Sequence, residues 1–306
     1  MNESLTKSSY LDGLKCDKFL WISSFAKNKI NPPSAFDQNL MDDGNAVGAL
    51  VTQLYPNGIE IPTTIVNRDE RIALTNELIS TGTDAIFEAT FFADNIEIRV
   101  DALLKASGGY EIRELKAVKF KNNILNDKKF QKHINDVSIQ YYVLNKLGYN
   151  ITNSYVMTIN GEYIRDDNLS AKELFKEVLV TNEVLDLQDS IPEKVKDLNE
   201  ILLDMQNEPN TDIDKHCHKD NQKCGAKKYC WQEQRNIPDY SIFEIFNLGD
   251  KSLNMYHNNI VDIKDIPEDE RTTEIQEFYI DHWINKSTYI NDVEIGKFIS
   301  ELCFPL

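Results

Sequence analysis

Alternating apolar and polar positions predict a β-hairpin that organises the N-terminal half of the chain. Residues 99–104 alternate and then become continuously apolar, a Ser-Gly-Gly turn follows, and residues 110–116 alternate again. Side chains two positions apart on a strand share a face, so Glu114 and Lys116 point the same way. A hairpin register can bring Asp101, on the first strand, beside them.

The same periodicities predict helices and strands on both sides of this hairpin. Helices are expected at residues 6–25, 43–55, 69–80, 127–147 and 181–204. Further strands are expected at residues 84–92 and 151–158. Ser9 and Asp12 can form a capping box for the first helix. The last segment is patterned as mostly helical, so we predict a domain at residues 1–235 and a mostly helical extension at residues 236–306.

Composition places the chain among globular proteins without a membrane span. Its hydrophobic content is 41% and its charged content 27%, and no apolar run approaches the length of a spanning helix. The first residues lack the apolar core of a signal peptide, so we expect a cytoplasmic protein. Five cysteines in a reducing compartment favour metal binding or catalysis over disulfides.

The net charge of −17 argues against a broad nucleic-acid-binding surface but leaves room for a local basic channel. Such a channel is suggested by a lysine cluster that follows the hairpin. It consists of Lys119, Lys121, Lys128, Lys129 and Lys132. The cluster is either a solvated loop or a surface that binds a phosphate backbone.

Asp101, Glu114 and Lys116 form a pattern suited to metal-dependent phosphoryl chemistry. Two carboxylates can hold Mg²⁺ or Mn²⁺, and the metal lowers the pKa of a bound water and polarises a phosphoryl oxygen. The lysine ammonium neutralises the negative charge that develops. A solvated strand face would carry the same residues, so this pattern leaves both interpretations open. Glu88, on the preceding strand, is either an edge carboxylate or an additional metal ligand.

Three of the five cysteines lie within fourteen residues, in the spacing C-x6-C-x5-C. They are Cys217, Cys224 and Cys230. Thiolates this close favour a soft metal or an iron–sulfur cluster. The fourth ligand could be local, where His216 or His218 would complete a Cys₃His zinc site. It could also be distant, where Cys16 would complete a four-cysteine [4Fe–4S] site.

Several of these motifs resemble one nuclease superfamily. Asp101 followed by Glu114-Leu115-Lys116 resembles the D…ExK signature of the PD-(D/E)XK nucleases. Gln140 resembles the glutamine of the RecB-type helix, although leucine stands at position 144, where that family often has tyrosine. One early and three late cysteines are similar to the RecB/AddB-type iron–sulfur nucleases, which include the Cas-four CRISPR-associated nucleases. LTKSSYLDGLKCDKFLW and KYCW also look like a Cas-four-like bacterial domain family of unknown function.

The resemblance implies an α/β restriction-endonuclease-like core, with a central mixed β-sheet flanked by helices. In these relatives an iron–sulfur cluster staples the N-terminal helix to the end of the domain. For this chain the implied [4Fe–4S] ligands are Cys16, Cys217, Cys224 and Cys230. The family also carries a metal-binding histidine or acid on an early helix. Gly48 lies near that position here, so the chain lacks one expected ligand.

For function, the resemblance implies a Mg²⁺- or Mn²⁺-dependent deoxyribonuclease that hydrolyses phosphodiester bonds. Asp101 and Glu114 would bind the metal, Lys116 would stabilise the reacting centre, and Gln140 would orient the site or contact DNA. Family members often act on single-stranded DNA or on ends, so we expect an exonuclease with DNA as its partner.

Two other interpretations remain open at this stage. The missing early ligand favours a catalytically weak or inactive module that binds nucleic acid with the same fold. The charge of −17 favours a zinc-stabilised interaction protein, for which Cys16 would be dispensable.

Overall fold

We describe the protein from a computed structural model, which covers residues 4–218, 224–245, 248–271 and 273–302. The side chain of His218, one of the predicted zinc ligands, lies outside the described part. The chain divides into two compact units, Met1–Thr211 and Asp212–Leu306. The domain boundary that we predict after residue 235 stays a prediction.

A mixed β-sheet forms the centre of the N-terminal unit. Its seven strands, counted over the described ranges, are β1 Leu5–Thr6, β2 Ile59–Glu60, β3 Ala85–Ala93, β4 Ile96–Ala106, β5 Gly109–Lys119, β6 Ile151–Ile159 and β7 Phe175–Leu179. The strand order is β2-β3-β4-β5-β6-β7, with β1 alongside β4. Strands β3–β4, β4–β5 and β6–β7 pair antiparallel, whereas β1–β4, β2–β3 and β5–β6 pair parallel.

Helices cover this sheet, which confirms the predicted α/β core with a mixed sheet flanked by helices. They are α1 Lys7–Lys15, α2 Asp17–Phe25, α3 Ala35–Val51, α4 Arg68–Ser80, α5 Gln131–Lys146, α6 Ala171–Leu174, α7 Thr181–Leu187 and α8 Ile191–Leu203. Successive side chains on the strands alternate between two apolar clusters. Leu103 and Ile112 pack with Val137 of α5, whereas Leu104 packs in the cluster that includes Val51 of α3.

The single helix that we predict over residues 6–25 is wrong, because the chain breaks at Cys16. Cys16 has an extended conformation (φ −161°, ψ 119°) and separates α1 from α2. The capping box lies three residues before the predicted one: the amide of Ser9 donates to the Thr6 hydroxyl at 3.1 Å, and the amide of Thr6 donates to the Ser9 hydroxyl at 2.7 Å. Strand β1 ends at Thr6, and helix α1 begins at the next residue, Lys7.

The C-terminal unit has its own apolar core around Trp231, Phe243 and Ile280. Its helices, over the ranges given above, are α9 Lys215–His218, α10 Asp250–His257, α11 Glu274–Asn285 and α12 Asp292–Glu301, with a π-helical segment at Lys228–Glu233. Among all the helices described, none has the length and apolar character that crossing a membrane requires.

Candidate active site

The hairpin register places Asp101 opposite Glu114. Ala102 of β4 pairs with Arg113 of β5, and the next antiparallel positions are these two carboxylates. The ladder ends there, and Oδ2 of Asp101 accepts a hydrogen bond from the backbone amide of Leu115 at 2.8 Å. The side chain of Asp101 therefore occupies a place where the two strands separate.

The turn before β5 fixes this register through two glycines. Gly108 adopts φ +85°, which favours glycine. A Cβ on Gly109 would lie 2.1 Å from the carbonyl oxygen of Asn150, so no side chain fits between β5 and the start of β6. The Ser-Gly-Gly turn therefore sets which residues face each other further along the hairpin.

Glu114 is buried at the centre of a polar cluster, with only 1% of its side chain exposed. Its Oε1 accepts a hydrogen bond from Nζ of Lys116 at 2.6 Å, and its Oε2 accepts one from Nε2 of Gln140 at 2.8 Å. The structure thus brings together four residues that we identify from the sequence: Asp101, Glu114, Lys116 and Gln140.

Asp136 of α5 belongs to the same cluster, although we do not assign it a role from the sequence. Its Oδ2 lies 2.6 Å from Nζ of Lys116, and its backbone carbonyl accepts a hydrogen bond from Gln140 at 3.0 Å. Asp136 precedes Gln140 by four positions, so both lie on one face of α5. This spacing on one face of the helix is the sequence signal from which Asp136 could have been predicted.

Lys7 supplies a second ammonium group, and no sequence signal identifies it. Its Nζ lies 3.0 Å from Oε2 of Glu114, 3.3 Å from Oδ1 of Asp101 and 3.6 Å from Oδ1 of Asp136. Lys7 is the first residue of α1, ninety-four positions before Asp101. Three carboxylates therefore face two ammonium groups in one cluster, which we call the carboxylate–lysine site.

The charges in the carboxylate–lysine site shift the pKa values of its carboxyl groups in opposite directions. Burial alone would raise the pKa of Glu114, but Lys7 and Lys116 outweigh it and hold that pKa well below its usual range. Burial, with the negative charge of Glu114, raises the pKa of Asp101 to about 6 and that of Asp136 to about 7. Glu114 therefore carries the most stable negative charge of the three.

Glu88 lies beside this site, in a cavity of about 370 Å³ that Asp101 also lines. Burial raises the pKa of its carboxyl group. Glu88 has φ +56°, a conformation that non-glycine residues rarely adopt within a strand. The structure places Glu88 near Asp101 in a shared cavity, which leaves its role as an additional ligand open.

Gly48 of α3 lines the same cavity. A Cβ at this position would meet only the Cδ2 atom of Leu115, at 3.9 Å, which is an ordinary contact. The cavity therefore has room at the position where the resemblance implies a metal-binding histidine or acid, and the chain provides no side chain there.

The lysine cluster runs from the last residue of β5, Lys119, to the first turn of α5, and all five of its members are exposed. Four of them, all except Lys128, line a cavity of about 340 Å³ together with His133. Burial, reinforced by the charges of Lys116 and Lys132, lowers the pKa of His133 to about 4. Four lysines and one carboxylate, that of Asp127, line this cavity, so its formal charge is positive despite the negative net charge of the protein.

The predicted cluster ligands belong to two different units of the chain. In the N-terminal unit, burial raises the pKa of the Cys16 thiol at the break between α1 and α2. In the C-terminal unit, Cys217 and Cys230 pack against the apolar core, and Cys224 is half-buried. His216 is exposed. The choice between an iron–sulfur cluster and zinc stays a prediction.

Within the described residues, no group of three or more histidine, cysteine or acidic side chains is arranged so that it could hold a metal ion. In the carboxylate–lysine site, the position between Asp101 and Glu114 is taken by the ammonium of Lys7.

Comparisons with known proteins add little to this geometry. No family model and no curated protein matches the chain. A crystal structure of SSO0001 covers 69% of this chain and 80% of its own at 13% identity, with a TM-score of 0.29. A crystal structure of LHK-Exo in complex with dAMP covers 66% and 89% at 14% identity, with a TM-score of 0.27. At these TM-scores neither likeness carries an argument.

Proposed function

We propose that this protein is a metal-dependent DNA nuclease that hydrolyses phosphodiester bonds. The observation that carries the proposal is the convergence of Asp101, Glu114, Lys116 and Gln140 in the carboxylate–lysine site. Two strands and one helix supply these side chains, so their meeting depends on the tertiary fold. A cavity lined by four of the cluster lysines lies between the end of β5 and the start of α5.

Mg²⁺ or Mn²⁺ fits the donor chemistry of this site. The carboxylate oxygens of Asp101 and Glu114 already converge on one cation, the ammonium of Lys7, and hard divalent ions prefer such oxygens. We assign the metal to these two residues, with Glu88 as an additional ligand. When bound there, the metal would activate water and neutralise charge on the scissile phosphate.

The other residues would position and stabilise the reacting groups. Lys116 is held between Glu114 and Asp136, and its ammonium would bind a phosphate oxygen as negative charge develops. Gln140 fixes the orientation of the Glu114 carboxylate. In the reaction, the oxygen of water bonds to phosphorus, the bridging phosphorus–oxygen bond breaks, and the leaving oxygen takes up a proton. The lysine cluster would hold the DNA backbone, and we expect single-stranded DNA or ends to be favoured.

Cleavage of labelled single- and double-stranded DNA in the presence of Mn²⁺ tests this function. We expect cleavage by the wild type and a loss of about a hundredfold or more in Glu114→Gln, because the variant lacks a metal-binding charge. Glu77→Gln, on the exposed side of α4, serves as the matched control. Cleavage by Glu114→Gln at the wild-type rate would remove this residue from the mechanism.

The cofactor proposal is a [4Fe–4S] cluster bound by Cys16, Cys217, Cys224 and Cys230, with a zinc site as the alternative. It rests on the cysteine spacing and on the family resemblance. We expect wild-type protein purified without oxygen to contain about four iron atoms per chain, and Cys16→Ser to lose iron and thermal stability, because cluster binding contributes folding energy. Full iron content in Cys16→Ser, or zinc in the wild type, would contradict the assignment.

A DNA-binding module without cleavage is the second candidate function. The ammonium of Lys7 in the metal position and the missing side chain at Gly48 favour it. It predicts that the wild type binds DNA without forming products and that Glu114→Gln binds as tightly.

A further inference from the structure

Lys7 stands where the proposed metal would have to bind, and the following inference rests on that proposed function. The Nζ atom of Lys7 contacts oxygens of Asp101, Glu114 and Asp136 at 3.0–3.6 Å. These distances suit an ammonium group surrounded by carboxylates. Only 19% of the Lys7 side chain is exposed, so the contact belongs to the interior of the site.

Contacts of the residues before and after Lys7 fix the position of its backbone. Leu5 is fully buried and its amide donates to the carbonyl of Asn95 at 2.9 Å, while Thr6 pairs with Glu97 of β4. The Thr6–Ser9 capping box then fixes the first turn of α1. Lys7 lies between these two anchors, so its backbone cannot drift away from the carboxylates.

Formal charges show why the ammonium and a divalent ion compete. The three carboxylates carry −3 in their ionised forms, and Lys116 contributes +1. The remainder, −2, matches a divalent cation when Lys7 is outside the site. With Lys7 inside, a divalent ion would meet a positive charge within a few ångströms, in a place with little water to screen it.

A displaced Lys7 side chain has an acidic region beside the site to enter. The cavity lined by Asp101 also presents the carboxylate of Glu60, and that of Glu88 where Glu88 does not bind the metal; its one cationic side chain, Arg113, is paired with Glu111 and Glu177. The lysine side chain is long and flexible, so its ammonium can leave the three carboxylates while its backbone stays anchored.

We propose that Lys7 is the resident counter-ion of the carboxylate–lysine site and that a divalent metal binds only by displacing its ammonium. Lys7 thereby sets the metal affinity of the site. When no metal is bound, its ammonium leaves the ionised site with a formal charge of −1 rather than −2.

Mn²⁺ binding by the purified protein, measured by electron paramagnetic resonance of free Mn²⁺, tests the competition. We expect Lys7→Met to bind Mn²⁺ about tenfold or more tightly than the wild type, because the competing charge is gone. Lys15→Met, at the exposed end of the same helix, should bind like the wild type. Equal or weaker binding by Lys7→Met would overturn the exchange alone. Failure of both wild type and Lys7→Met to bind Mn²⁺ would overturn the metal site and the exchange with it.

Amine acetylation of the wild-type protein tests the displacement itself and does not depend on the folding of a variant. We expect the Lys7 amine to react several times faster with an acetylating reagent when Mn²⁺ is present, as measured by peptide mass spectrometry. Lys15 should react at the same rate with and without Mn²⁺. An unchanged Lys7 rate at saturating Mn²⁺ would overturn the proposal.

Discussion

Glu114 keeps its negative charge in a nearly dry position because two ammonium groups and an amide face it. Lys7 and Lys116 lie within 3.1 Å of its carboxylate, and Gln140 donates to it at 2.8 Å. A buried carboxylate without such partners would take up a proton. The ionised carboxylate of Glu114 is a suitable metal ligand once Lys7 is displaced, and its contact with Lys116 makes that ammonium a fixed rather than a mobile cation.

His133 provides a pH-dependent test of the buried surroundings of this site. Its pKa of about 4 lies below the ordinary value of 6.5, so the unfolded chain binds more protons between these pH values. The contribution of neutral His133 to stability is present above pH 6.5 and is lost as the pH falls towards 4, by about 3 kcal/mol at most.

We therefore expect His133→Gln to reduce the difference in unfolding free energy between pH 7 and pH 4.5, as measured by urea denaturation. The same pH difference in His133→Gln and in the wild type would show that His133 does not titrate as described.

At the scale of elements, local patterns predict the hairpin, α5 and the start of the first helix, but neither the break of that helix at Cys16 nor the strand β1 that precedes it. The alternation around Glu114 and the stripe of Asp136 and Gln140 depend on residues a few positions apart, and periodicity reports such relations directly. The position of Lys7 depends on the pairing of β1 with β4, ninety-one positions apart in the ladder. A two-residue strand carries no periodicity, so the sequence does not predict either the strand or the lysine that it positions.

Gly109→Ala tests whether the turn sets the geometry of the site. Its methyl group would meet the backbone oxygen of Asn150, so we expect a loss of about 2 kcal/mol or more of unfolding free energy and a lower cleavage rate. Gly108→Ala meets no neighbouring atom within 4 Å and bears only the strain of φ +85°, about 1 kcal/mol. Urea denaturation compares the two, and a Gly109→Ala variant no less stable than Gly108→Ala would contradict the prediction.

At the scale of the whole molecule, the negative net charge and the lysine cluster have opposite effects on DNA binding. A charge of −17 repels the phosphate backbone in general, whereas five exposed lysines lie on one short segment. Binding should therefore concentrate on the cluster and weaken steeply with salt, since each phosphate contact releases counterions.

Replacing all five lysines of the cluster by glutamine should weaken binding of single-stranded DNA and reduce the slope of log affinity against log salt by about 3.5, if each contacts a phosphate. Fluorescence anisotropy in EDTA measures this without cleavage. The control variant replaces five exposed lysines elsewhere, namely Lys27, Lys105, Lys172, Lys196 and Lys264. Equal slopes in the two variants would show that the cluster has no special role.

The parallel pairing of β1 with β4 has a consequence for the order in which the residues of the carboxylate–lysine site come together during translation. Synthesis releases the N-terminus first, yet Thr6 finds its partner only after Glu97 has emerged. Lys7 needs still more of the chain, because Asp136 arrives with α5. Lys7 is therefore translated before all three of its carboxylate partners, and its ammonium can meet the last of them only after α5 has been synthesised.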